Sequence, residues 1–292
     1  MIMNKFEDKY KKKVLETLKY TIGFCEKYDL RYYMAYGSAI GAVRHHNIIP
    51  WDDDVDIYML REDYNKMLHL RSEMKGSGFD LVFLEDRGYY LKYAKVVNKN
   101  TTLWEFKEYP FIIGAFVDIF PLDCTNWGMQ KICHTWLKYD RLWEKYHIMQ
   151  KYHPLKDSIK LLIEKHPKAF LYWIFGKYLR RHQNEVLREV LKFEKTLNCQ
   201  SGEYYVSYTE SGPYIFQKKW FDDHVIMPFA DLQVRLPSGY HEYLTYMYGD
   251  YMKLPPKEQQ FTNHKRYYIN LKEGLTLNKV RKRIKKGEHR IY

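Results

Sequence analysis

The apolar positions of this chain follow two periods. Over residues 5–28, Val14, Leu18, Ile22 and Cys25 recur three or four apart among lysines and acids, the spacing of a long amphipathic helix. "LRYYMAY" (30–36) is β-rich and stops at Gly37-Ser38; "SAIGAVRHH" then reads as a short helical turn with Ser38 at its start. In "DVDIYML" the period falls to two. Val55, Ile57 and Met59 face one way and Asp54, Asp56 and Tyr58 the other, as in a strand with one buried face. A helix over 61–75, a Gly-Ser-Gly break, strands near 79–84 and 90–97, and a strong strand in "FIIGAFVDIFPLD" (111–123) ending at Pro121 complete the first part.

From about residue 128 the pattern becomes helical. Ile132, Trp136, Trp143 and Tyr146 form one apolar stripe, and Val186, Val190, Phe193 and Leu197 another. Between them, "KAFLYWIFGKYLRR" (168–181) reads as a core helix, with a position on a membrane surface as the alternative. After Gly202 short strands return in "YYVSYTE", "HVIMPF" and "LQVRLP"; a helix capped by Ser238 leads into "YGDYMKLPP", where Gly249 reads as its C-cap. The pattern predicts an α+β fold, a mixed-sheet core with flanking helices and a helical insertion. Residues 1–127 form the core, 128–200 the insertion and 201–292 a segment returning to the core.

Composition narrows the class. With 292 residues, 46% hydrophobic and 17% aromatic, the chain can bury a large core and is not disordered over most of its length. The 29 tyrosines suit polar clefts but name no function. The net charge is +12, and half of that excess lies in "KVRKRIKK" (279–286), which contains no acid. Such a run is a solvated tail or a contact for anionic lipid or a polyanionic acceptor. No nucleic-acid module accompanies it, so a nucleic-acid partner is not expected. Cys25, Cys124, Cys133 and Cys199 are scattered without a C-x-x-C pair, and Cys133-His134 lacks zinc-ligand spacing. Reduced thiols in a cytoplasmic protein are expected. The N-terminus has no apolar signal region, and no run reaches the roughly 20 apolar residues of a spanning helix. The chain is therefore read as soluble, or peripheral at the inner face of a membrane.

One stretch needs an explanation outside the polypeptide. Four acids, Asp52, Asp53, Asp54 and Asp56, crowd into five positions where their charges repel. Asp54 and Asp56 share a strand face about 6.5–7 Å apart and can hold a divalent ion between them. Mg²⁺ fits hard carboxylate oxygens and leaves room for phosphate oxygens, with Mn²⁺ as the other candidate. Asp118, in the apolar strand "AFVDIF", is the candidate third acid; Asp123, past Pro121, reads as a turn residue. Asp52 and Asp53 read as a solvated turn or as local caps. Gly37-Ser38, 16 residues before Asp54, brings a close-approaching backbone and free N–H groups to an anion. Arg44 carries a planar cationic fork, with an ion pair to the acids as one role for it, and Lys95 lies in a strand of the same unit. His45 and His46 read as structural loop residues, and Asp250 as a turn residue.

Gly-Ser before a helix, an acid–hydrophobe–acid strand and a further strand acid resemble the nucleotidyltransferase superfamily. The longer string "YMAYGSAIGAVRHHNIIPWDDDVDI" resembles the LicD family, as do "KYAKVVNKNTT" (92–102), "GAFVDIFPLD" (114–123) and "YLTYMYGDYMKLPP" (243–256). Fukutin-type enzymes are related to that family. Ser38 stands where many members carry Thr, which keeps the hydroxyl. The resemblance implies a nucleotidyltransferase-like fold and Mg²⁺-dependent transfer of phosphocholine from CDP-choline to a sugar hydroxyl of a cell-surface glycan such as a teichoic acid, lipopolysaccharide or capsule precursor, releasing CMP. It carries over Asp54, Asp56 and Asp118 as metal ligands and catalytic acids; with that donor, Gly37, Ser38, Arg44 and Lys95 are the candidates for its phosphates, Trp51 the candidate for holding the cationic headgroup, and 128–200 the candidate acceptor-binding region. A CDP-polyol (ribitol or glycerol) as donor is the alternative cargo. A non-catalytic glycan- or membrane-binding role is the alternative of another class.

Overall fold

The computed structural model describes residues 5–151, 182–199, 201–262, 264–288 and 290–291. At its centre is strand β5 (Ile113–Thr125), buried along its whole length. The strands β1 (Tyr33–Met34), β2 (Asp56–Leu60), β3 (Phe79–Val82), β4 (Ala94–Trp104), β6 (Tyr204–Ser207), β7 (Tyr214–Gln217), β10 (Tyr268–Asn270) and β11 (Arg290–Ile291) join it in one nine-stranded mixed sheet. Its main order is β1-β2-β5-β4-β10-β11, with β3 on the first half of β4 and β6-β7 on the end of β5. β2 runs parallel to β5, and β4 antiparallel on its other side. A separate hairpin pairs β8 (His224–Phe229) with β9 (Leu232–Pro237). The fold is α+β, with helices flanking a mixed sheet.

β5 is longer than its sequence suggests. Pro121 sits opposite Met59 inside the ladder, and the strand continues to Thr125, where Asp123–Thr125 pair with β6. Asp123 is therefore no turn residue. It is fully buried and accepts two hydrogen bonds from the Arg61 guanidinium, Nε at 2.7 Å and Nη2 at 2.8 Å. Arg61 opens helix α3 (Arg61–His69), so the pair joins that helix to the strand.

Helix α1 (Lys5–Lys27) turns Tyr10, Val14, Leu18, Ile22 and Cys25 into the main core, the face its spacing indicated. α4 (Met129–Gln150) and α5 (Gln183–Glu194) share a second core. There Ile132, Tyr139, Tyr146 and Met149 meet Val186, Val190 and Leu197, while Trp136 and Trp143 of the expected stripe are only half-buried. The segment 168–181 lies outside the described residues. α6 (Tyr240–Tyr248) ends at Gly249, whose φ of 65° is the left-handed region that glycine tolerates. The basic run 279–286 is not a solvated tail throughout. It falls largely in helix α7 (Leu277–Lys285), docked on Trp104, Tyr268 and Leu275 through the fully buried Val280. Among the described residues, no helix is long and apolar enough to cross a membrane.

Candidate active site

The register of three strands assembles the site. Asp56 of β2 lies directly opposite Asp118 of β5, and Lys95 of β4 opposite Asp118 on the other side. Asp54, two residues before Asp56, completes a group in which one oxygen of each of Asp54, Asp56 and Asp118 lies within 4.8 Å of the others. The backbone is pinned at each point. The Asp118 N–H donates to the Val55 carbonyl at 2.9 Å, and the Ala35 N–H to the Asp56 carbonyl at 2.9 Å.

Gly37 and Ser38 lie beside these acids. Helix α2 (Tyr36–Ile40) begins two residues before Ser38, and no side chain caps it. Ser38 is buried inside that turn, and its Oγ accepts the Asp56 N–H at 2.9 Å. The hydroxyl expected to start the helix instead fixes the strand that carries the acids. A Cβ at Gly37 would lie 2.8 Å from Asp52 Oδ2, so a larger residue there would require the Asp52 carboxylate to shift. A π-helical turn (Gly41–His45) follows α2.

The electrostatics show how crowded the site is. Burial, with Asp52 adding to it, pushes the Asp54 carboxyl up to about 8. Burial, with Asp54 and Asp118 as like charges, drives Asp56 well above the ordinary carboxylate range. Burial raises Asp118 to about 6, where the Lys95 ammonium restrains it. Lys95 is 2% exposed, with Nζ 2.7 Å from Asp118 Oδ1, 3.9 Å from Glu105 Oε1 and 3.4 Å from the Phe116 ring centre. Burial alone would lower its pKa, but Asp118 and Glu105 outweigh that, and the ammonium is raised. One ammonium against three converging carboxylates leaves a deficit of positive charge. Hard, closely spaced oxygens in a buried site are a donor set that fits a divalent ion such as Mg²⁺.

Sequence reasoning missed the partners of Asp53. This acid is not on a solvated turn: it is 3% exposed and ion-paired with Arg266. Thr262 Oγ1 donates to its Oδ1 at 2.9 Å, and His264 Nδ1 lies 2.6 Å from the same oxygen. His264 Nε2 is also 3.3 Å from Asp54 Oδ2, and Arg266 reaches Glu7 of α1 at 2.9 Å. A pairing some 210 residues apart leaves no local signal.

Other candidates stand elsewhere. Arg44 turns to the later chain, its Nη1 donating to the carbonyls of Tyr251 at 2.6 Å and Lys253 at 3.1 Å. It makes no ion pair with the acids among the described residues. Trp51 is half-buried, edge-on to His45 at 5.8 Å and 5.9 Å from the Arg44 guanidinium. His46 Nδ1 lies 2.9 Å from the Ala42 carbonyl, and Asp250 is in an exposed turn. Cys133 and His134 both lie on α4, and all four cysteines are free thiols.

Residues 29–160, which contain Gly37, Ser38, Lys95 and all three converging acids, match the family model described as LicD/FKTN/FKRP, nucleotidyltransferase domain. Over that stretch the chain is similar to the LicD family. The chain is similar to the lipopolysaccharide cholinephosphotransferase LicD of Haemophilus influenzae, 28% identical over 254 residues that cover 86% of this chain and 92% of that one. It is also similar to the ribitol 5-phosphate transferase FKRP of Homo sapiens, 34% identical over 122 residues. That second match covers 42% of this chain and 22% of the relative, so with FKRP the likeness is confined to part of each protein. Both relatives are named for transferring a substituted phosphate, one with choline and the other with ribitol.

Proposed function

We propose that the chain transfers phosphocholine from CDP-choline to a hydroxyl of a cell-surface glycan, releasing CMP, with Mg²⁺ held by Asp54, Asp56 and Asp118. The observation that carries this reading is the facing pair Asp56 and Asp118, with Asp54 beside them, in a chain whose similarity to a cholinephosphotransferase extends over most of both proteins. The metal would supply charge neutralisation of the diphosphate and of the departing CMP.

The rest is the work of this chain's own groups. Ser38 and the β2–β5 ladder hold Asp56 and Asp118 at a fixed separation, so the site is organised before donor binds. Lys95 orients Asp118 through its ion pair and offsets phosphate charge at the edge of the site. Asp118 accepts the proton of the acceptor hydroxyl. That oxygen forms a bond to the phosphorus bearing choline, and the bond from this phosphorus to the bridging oxygen breaks, with the electron pair leaving on CMP. Residues 128–200 are the proposed acceptor-binding region. The exposed cationic face of α7 is proposed to rest on an anionic membrane where such acceptors are built.

Incubation with CDP-choline, Mg²⁺ and a glycan acceptor should release CMP, and EDTA or Asp56→Ala should stop it. Full turnover in EDTA overturns the reading. The FKRP match supports a second cargo, a CDP-polyol. Comparing melting temperatures with CDP-choline, CDP-ribitol and CDP-glycerol separates the two, because the donor that binds the native state best raises Tm most.

A further inference from the structure

The sheet face that carries the acids carries a second row of side chains. Along a strand, every second residue faces the same way, about 6.5–7 Å further on. Asp56 is followed on its face by Tyr58 and Asp118 by Phe120, and the register pairs Tyr58 with Phe120 as it pairs the two acids. On β4, Lys95 faces Asp118, and Tyr93, two residues earlier, lays its ring 4.1 Å from that of Phe120. A row of rings therefore borders the row of charges.

Tyr36 closes over this row. Its ring centre is 5.0 Å from Tyr58, 5.1 Å from Phe120 and 6.1 Å from Tyr214. Its φ of 46° is in the left-handed region, uncommon for a bulky residue, and the Tyr243 hydroxyl accepts its N–H at 2.9 Å and holds it there. The Tyr36 hydroxyl donates to Glu210 Oε1 at 3.3 Å, and Trp136 Nε1 donates to the Glu210 carbonyl at 3.1 Å. Tyr58 and Phe120 are buried, whereas Tyr36, Tyr93, Tyr214 and Glu210 are half-buried. Lys92, whose charge also acts on Glu210, is itself paired with Asp140 at 2.6 Å.

We propose that Tyr36, Tyr93, Tyr214 and the Glu210 carboxylate form the subsite for a quaternary ammonium carried by the transferred phosphate. The inference rests on the phosphate-transfer reading above and names the headgroup that the site selects. Ring faces attract a cation through their quadrupoles, and a carboxylate at their rim adds charge that an uncharged polyol cannot use. The step from acids to rings is comparable with the reach of a two-carbon linker between a phosphate and its ammonium. Trp51, beside His45 and Arg44, is not part of this group.

The test measures Kd on the full chain with Mg²⁺ for CDP-choline, for its uncharged isostere with carbon in place of the ammonium nitrogen, and for CDP. CDP-choline should bind about threefold to thirtyfold tighter than the isostere. Glu210→Gln and Tyr214→Leu should each remove most of that difference while the Kd for CDP stays within about twofold. Equal binding of CDP-choline and the isostere, with CDP still bound, overturns the subsite and leaves phosphate transfer standing. So does either variant weakening CDP as much as CDP-choline. If CDP and CDP-choline both fail to bind, the functional reading and the subsite fall together.

Discussion

At the scale of single residues, repulsion among the acids makes two predictions that pull in opposite directions. Asp56→Asn should lower CMP release by at least about a hundredfold, because an amide is a poor ligand for a hard cation. The same change removes a repelled charge, so Tm in EDTA should rise. A fall in the metal-free Tm would mean that Asp56 is not under the strain described. The pH dependence has a definite sign. Asp54 is raised to about 8 and Asp118 to about 6, against about 3.9 in the unfolded chain. The folded state therefore holds protons that the unfolded state has released, and stability falls as pH rises from about 4 to 8. Without metal, Tm should drop across that window, Asp54→Asn should make the drop smaller, and Mg²⁺ should restore Tm at pH 8 more than at pH 5. Asp123 behaves differently. Removing it strands the buried Arg61 charge, and Asp123→Ala should cost about 3–5 kcal/mol in denaturant unfolding.

At the scale of elements, much of the site was readable because alternation states which residues share a face. The spacing of Asp54 and Asp56, and the apolar surroundings of Asp118, point to the candidate group whose oxygens converge in the fold. Lys95 was visible only as a phosphate candidate; its pairing with Asp118 needs the β4–β5 register. Where the reading failed, the cause was context. Pro121 looked like a stop, yet β5 runs through it, and Asp123 looked like a turn residue until Arg61 packed against it. Gly114 shows how tightly β5 is held, since a Cβ there would overlap the Asn98 carbonyl of β4 next to the register shift between Asn98 and Leu103. Gly114→Ala should destabilise the fold by about 1–3 kcal/mol, measured by denaturant midpoint with unchanged m-value.

At the scale of the whole molecule, charge and connectivity matter more than pattern. Val280 faces inward on α7, and Lys279, Lys282, Lys285 and Lys286 are exposed. Replacing Lys279, Lys282 and Lys286 by Glu should weaken co-sedimentation with anionic vesicles by more than about a hundredfold, at about 1 kcal/mol per lysine. Turnover of a soluble acceptor should be unaffected. Equal sedimentation of the variant and the parent chain would remove the membrane role.

The clasp on Asp53 has a consequence for how the protein is made. Arg266 and His264 belong to a stretch that leaves the ribosome long after Asp53, and β10 cannot pair with β4 until residue 270 has emerged. Until residues 264–270 have emerged, the acidic loop lacks its clamp, and the nascent chain cannot hold Asp53 as the finished fold does.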